Sequence, residues 1–108
     1  MNVYDKAYDL ARALKESDEW VTLVEARAAI DGDEAVKGMY TSLRTMQFEL
    51  QQKQMSGQEL TPEDIENWQK QYEISALHSD VKKLLEAESK FSQIFEDIQK
   101  ILYDSLNE

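Results

Sequence analysis

Cysteine is absent from this 108-residue chain, and histidine and proline each occur once. Without cysteine there can be no structural disulfide, zinc–thiolate site or thiol catalysis. A single histidine, His78, rules out a zinc site of two or three imidazoles within one chain. The three glycines stand apart at positions 32, 38 and 57, so no glycine-rich phosphate loop exists. No apolar run approaches the ~18 residues of a membrane span. The first residues, MNVYDKAYDL, carry Asp5, Lys6 and Asp9 and lack the apolar core of a signal peptide. A soluble cytoplasmic protein with no membrane insertion is the expectation. Bases are also scarce: 12 Lys and Arg stand against 22 Asp and Glu, a net charge of −10. Residues 58–108 hold 12 of the acids and only 5 of the bases. Such a surface repels phosphate backbones and anionic lipid, which argues against direct nucleic-acid or membrane binding.

What the chain does have is helical periodicity. In DEAVKGMYTSLRTMQFELQQKQMSG, Asp33 to Gly57, the apolar residues Val36, Met39, Leu43, Met46 and Leu50 recur at alternating intervals of three and four. That is the seam of a helix packed lengthwise on other helices. About 22 residues at 1.5 Å each make a rod of roughly 33 Å. Gly38, Ser42 and Thr45 form a small-residue strip beside the seam, suited to close approach of a second helix. The seam fades after Leu50, and Met55-Ser56-Gly57 breaks the helix.

Other helices flank this one. Val3, Ala7, Leu10 and Leu14 define an amphipathic helix from Val3 to about Glu16, with Tyr4 and Tyr8 expected at the edge of the core. Ser17-Asp18-Glu19 is a capped start for a second helix that buries Trp20, Leu23, Val24 and Ala28. Asp31-Gly32-Asp33 ends it, and either Asp31 or Asp33 caps the central helix. Leu60-Thr61-Pro62-Glu63-Asp64-Ile65 starts the next, with Thr61 at the cap and Pro62 at the first helical position. Ile65, Trp68 and Tyr72 give it an aromatic face. The last helix follows Val81, Leu84, Glu88, Phe91, Phe95, Ile98 and Leu102, with Ser79 a competent cap and Glu88 the polar exception on the seam. The expected fold is a single all-α domain over 1–108, an elongated bundle of about five helices.

No catalytic, cofactor-binding or metal-ligating constellation emerges. Asp31-Gly32-Asp33 lacks the spacing and terminal glutamate of a calcium loop. Ser75 stands where a di-iron Glu-x-x-His pair needs its glutamate. Glu86 and Glu88, two apart on a helix, face different directions. His78, Ser79 and Asp80 are sequence neighbours and cannot assume triad geometry. An enzyme is not expected, and no cofactor is implied.

The helix order, with Leu50-Gln-Gln-Lys-Gln-Met-Ser-Gly-Gln-Glu-Leu60 between the third and fourth helices, resembles the small helical bacterial proteins named after YlbF, YmcA and YheA, closest to the YheA-like branch. Asp33-Glu34-Ala35 and Leu84-Leu85-Glu86-Ala87-Glu88 agree with it. Where members often have an Asn-Pro break before the last helix, this chain has His78-Ser79. The resemblance implies an antiparallel hairpin of two long helices, frequent self-association, and a cytoplasmic non-enzymatic role in Gram-positive-type bacteria. Relatives act as regulatory partners in complexes affecting competence, sporulation, biofilm formation and RNA processing. The cysteine-linked iron–sulfur chemistry of some members cannot apply here.

The leading functional reading is therefore an adaptor that binds proteins: an unidentified partner and a second copy of itself, with a dimer favoured. Gln54, Met55, Gln58 and Glu59, past the end of the seam, are the candidate partner-binding residues. Met55 is an apolar, adaptable side chain among polar ones. The alternative is a nucleic-acid-associated protein using a local basic patch at Lys82, Lys83 and Lys90.

Overall fold

The computed structural model describes residues 2–107, which form five α-helices: α1 (Val3–Glu16), α2 (Asp18–Asp31), α3 (Glu34–Met55), α4 (Pro62–Ala76) and α5 (Ser79–Leu106). No strand forms among the described residues. Each boundary has a local cause. The Asn2 side chain accepts the Tyr4 amide at 2.8 Å and starts α1. Ser17 serves two helices: its hydroxyl donates to Leu14 O at 2.6 Å at the end of α1 and accepts the Trp20 amide at 3.2 Å at the start of α2. Asp33, not Asp31, caps α3 by accepting from Ala35 and Val36. Asp31 instead lies 3.6 Å from the Lys37 ammonium. The Ser79 cap expected for α5 is displaced by one residue, because His78 Nδ1 accepts the Asp80 amide at 3.3 Å and Ser79 is already helical. Leu77, directly after α4, keeps a right-handed helical conformation.

The chain divides into two compact units, residues 1–28 with 84–108, and residues 29–83; α2 and α5 each run from one into the other. In the first unit Leu23, Ala26, Leu84 and Ala87 are buried. The half-buried Trp20 ring meets Phe91 at 5.2 Å between centroids, and Phe91 meets Phe95 edge-on at 5.3 Å. Tilted and edge-on arrangements suit the ring quadrupoles. Two expectations fail here. Val24 and Ala28 are exposed, and α2 buries Leu23 and Ala26. With Val21 and Val24 apolar on other faces, α2 has no single stripe from which to choose. Tyr4 and Tyr8 are well exposed, at 76% and 67%, and α1 contributes no buried residue.

In the second unit Ile30, Val36, Leu43, Ser75 and Val81 are buried. Helices α3 and α4 pack on each other, with α4 returning antiparallel after a six-residue connection. The resemblance implied a hairpin of the two long helices; the helix that packs on α3 here is the 15-residue α4. Met39, Met46 and Leu50 on the α3 seam are half-buried, as is Trp68 of α4, while Ile65 and Tyr72 are exposed. Trp68 and Tyr72 rings lie 5.9 Å apart.

Among the described residues no helix covers the small-residue strip. Gly38, Ser42 and Thr45 are all exposed, and a Cβ added at Gly38 would meet no heavy atom within 4 Å. Gly38→Ala is therefore expected to stabilise the protein by about 0.5–1 kcal/mol through helix propensity alone. Thermal unfolding checks this; a lower melting temperature would mean that something packs against Gly38 in solution.

Candidate functional site

The corner between α3 and α4 is fixed by hydrogen bonds at both helix ends. At the close of α3, Ser56 N–H donates to Gln52 O at 3.0 Å, Gly57 N–H to Gln54 O at 3.2 Å, and Gln58 N–H to Lys53 O at 3.0 Å. This is the Schellman arrangement, which requires a left-handed residue after the cap. Gly57 supplies it with φ +82. At the start of α4 the Thr61 hydroxyl accepts the Asp64 amide at 3.0 Å, while Asp64 Oδ2 accepts the Thr61 amide at 3.1 Å. This reciprocal box, with Pro62 in the first turn, satisfies donors that a helix start leaves open.

One side chain ties the two ends together. Lys53 Nζ donates to Asp64 Oδ2 at 2.8 Å across the corner. Lysine in the last turn of α3 and aspartate in the first turn of α4 also suit the two helix dipoles. The ammonium of Lys53, and after it the Thr61 amide, hold the Asp64 carboxyl below its ordinary value of 3.8. A carboxyl lowered in the folded state adds stability above its unfolded value and loses it as pH falls through the folded one. Lys53→Met is therefore expected to destabilise the protein at neutral pH, with the gap to the wild type closing as pH falls below about 3.8. Urea unfolding of both proteins at neutral and acid pH tests this; a gap unchanged by acid would detach Asp64 from the corner's stability.

Gln54, Met55, Gln58 and Glu59 are all exposed on this corner. Gln54 and Met55 close α3, while Gln58 and Glu59 lie in the connection. Met55 is 82% exposed, so its thioether has no role in the core. Beside the corner a groove between α3 and α4 is lined by Met46, Glu49, Leu50, Lys53, Asp64 and Asn67. Two features went unread in the sequence. The Lys53–Asp64 pair spans 11 positions, although a base ending one helix and an acid capping the next was a visible clue. The second is Phe48, 60% exposed, beside a hollow that it lines with Arg44, Gln47 and Gln51. Among the described residues no cluster of histidine and acidic side chains could hold a metal ion. No described helix is long and apolar enough to cross a membrane.

Comparison with known proteins places the chain. Residues 3–107 match the family described as "Control of competence regulator ComK, YlbF/YmcA". The chain belongs to this YlbF/YmcA family. Within it, a UPF0342 protein of Alkalihalophilus pseudofirmus is 43% identical over 107 residues, covering 99% of this chain and 91% of the relative. A UPF0342 protein of Bacillus pumilus is 40% identical over 108 residues, covering 100% of this chain and 92% of the relative. A solved structure from Bacillus stearothermophilus, described as a protein of unknown function (DUF964), matches with a TM-score of 0.85 at 26% identity. That likeness covers 97% of this chain and 92% of the other. The YlbF/YmcA likeness therefore extends from α1 to the end of α5.

Proposed function

We propose that this chain is a non-enzymatic adaptor of the bacterial cytoplasm that regulates other proteins by binding them, and that it also binds a second copy of itself. Met55 carries the reading. Its side chain is 82% exposed on a corner held by the Schellman bonds, the capping box and the Lys53–Asp64 bridge. A flexible thioether on a fixed backbone adapts to a partner while little backbone order is lost on binding. The family's description by control of a competence regulator supports a regulatory role. Self-association is supported by the apolar side chains that α1 and the end of α5 leave exposed.

The test begins with affinity capture from native cytoplasm against a mock control, followed by purification of each specific partner. Changing Met55 to Ala together with Gln58 to Lys is expected to weaken at least one partner by about tenfold or more, the loss typical of a contact residue. Melting and self-association should stay as in the wild type. Undiminished affinity for every specific partner would move the functional surface away from this corner.

A further inference from the structure

We propose that the side of α3 running from Tyr40 to Met55 docks an acidic amphipathic helix of another protein. That helix sets a carboxylate on Arg44 and apolar side chains on Phe48 and Met55. The inference rests on the partner binding proposed above at Met55 and gives that partner its chemistry. Tyr40, Arg44, Phe48 and Met55 stand four, four and seven positions apart along one helix. At about 100° per residue they fall within an arc of roughly 80°, turned away from the Val36–Leu50 seam. Phe48 is 60% exposed and Met55 82%, while the same helix buries Val36 and Leu43 on its seam. Side chains four apart form a straight ridge, and such a ridge packs into the groove of a second helix. From Tyr40 to Met55 the ridge runs roughly 22 Å, about four turns.

Charge selects the occupant. The chain carries a net −10, yet among residues 37–55 only Glu49 is acidic. It projects about 140° away from Arg44 around the helix axis. Lys37 shares the face of Arg44, but Asp31 at 3.6 Å offsets it, and Asp33 and Glu34 stand at the same end. Glu59 lies beyond the other end, past Met55. Arg44 is thus the cation that a partner meets along the middle of the ridge. Its guanidinium lies over the Tyr40 ring, 5.8 Å from the centroid, and donates to Gln47 Oε1 at 3.1 Å. A stacked and hydrogen-bonded guanidinium is oriented before the partner arrives, and its planar fork matches a carboxylate. A basic helix would meet like charge there. A polyanion is repelled at long range by the acidic molecule, whereas a helix with a few acids gains from the one cation it touches.

The test uses the purified full chain and a displayed library of random peptides about 18 residues long, enough for five helical turns. Binders are selected on the wild type and counter-selected on the double variant Arg44→Glu with Phe48→Ala. Selected peptides should be acidic, with apolar residues three and four apart. By fluorescence anisotropy, Arg44→Glu alone and Phe48→Ala alone should each weaken a selected peptide by about tenfold. Lysine in place of the contacting acid of the peptide should restore binding to Arg44→Glu, since the pair re-forms with its charges exchanged. Arg44 and Phe48 are exposed, so melting curves should stay as in the wild type. Basic or neutral peptides, none surviving counter-selection, or equal binding to Arg44→Glu would overturn the docking face. If Arg44→Glu instead loses a uridine oligonucleotide or self-association, the face belongs to nucleic acid or to a second copy. Met55→Ala with Gln58→Lys separates this inference from the reading it rests on. Loss of the selected peptides in that variant ties the ridge to the corner. Peptides kept there but lost with Arg44→Glu would remove the corner and leave the ridge. A native partner lost with Met55→Ala and Gln58→Lys but indifferent to Arg44→Glu would remove the ridge and leave the corner.

Discussion

Leu84→Ala is expected to destabilise the protein by about 2–5 kcal/mol, the range for cutting a fully buried leucine back to its Cβ. Leu84 has no accessible surface, and neither has Val81 one helical turn before it. Truncation loses the transfer energy of the removed carbons and leaves a cavity that close-packed neighbours fill only in part. For a domain near this size each kcal/mol moves the melting temperature by roughly 4–8 °C, so a drop of at least ~8 °C should be seen. Leu106→Ala on the same helix is the control. Leu106 is 83% exposed, and its loss should change stability by no more than ~0.5 kcal/mol. Similar shifts for the two leucines would mean that burial along α5 is not distributed as described.

The same contrast shows what the sequence could and could not reveal. Helix starts and stops are local chemistry, so Thr61-Pro62 and Ser56-Gly57 could be placed from residue types alone. The α5 start was misplaced by one residue because histidine is not among the usual capping side chains, yet Nδ1 accepts as a cap oxygen does. Burial depends on what lies opposite, which periodicity does not encode. The stripe of α1 and the seam of α5 read alike, yet Leu84 is buried while Val3 is 79% exposed. The family was legible from Gln54-Met55-Ser56-Gly57-Gln58-Glu59 in its place within the helix order, and the match over residues 3–107 agrees. The Lys53–Asp64 bridge was not, because it depends on the angle at which α4 leaves the corner.

That corner gives the second large effect: Gly57→Val should destabilise the protein by about 2 kcal/mol or slightly more. A left-handed backbone costs an ordinary L-residue about 1–2 kcal/mol, and a β-branched side chain tolerates it least. The cost lies in the backbone and not in crowding, since a Cβ built at Gly57 meets no heavy atom within 4 Å. A graded series follows from that cause. Gly57→Asn should cost least, because asparagine visits this region with local hydrogen bonding; Gly57→Ala should cost about 1–2 kcal/mol, and Gly57→Val more. Urea unfolding of the three variants gives the order, and equal midpoints for the wild type and Gly57→Val would mean the turn does not need φ +82. The series also bears on function. Gly57 stands between Met55 and Gln58 and makes no side-chain contact itself, so its variants alter the presentation of the corner without removing a binding group. If binding depends on that fixed presentation, Gly57→Val should weaken the partner that senses Met55 and Gln58, while Gly57→Asn should keep it. Equal affinity of the two variants would mean that the side chains at the corner bind independently of the backbone that presents them.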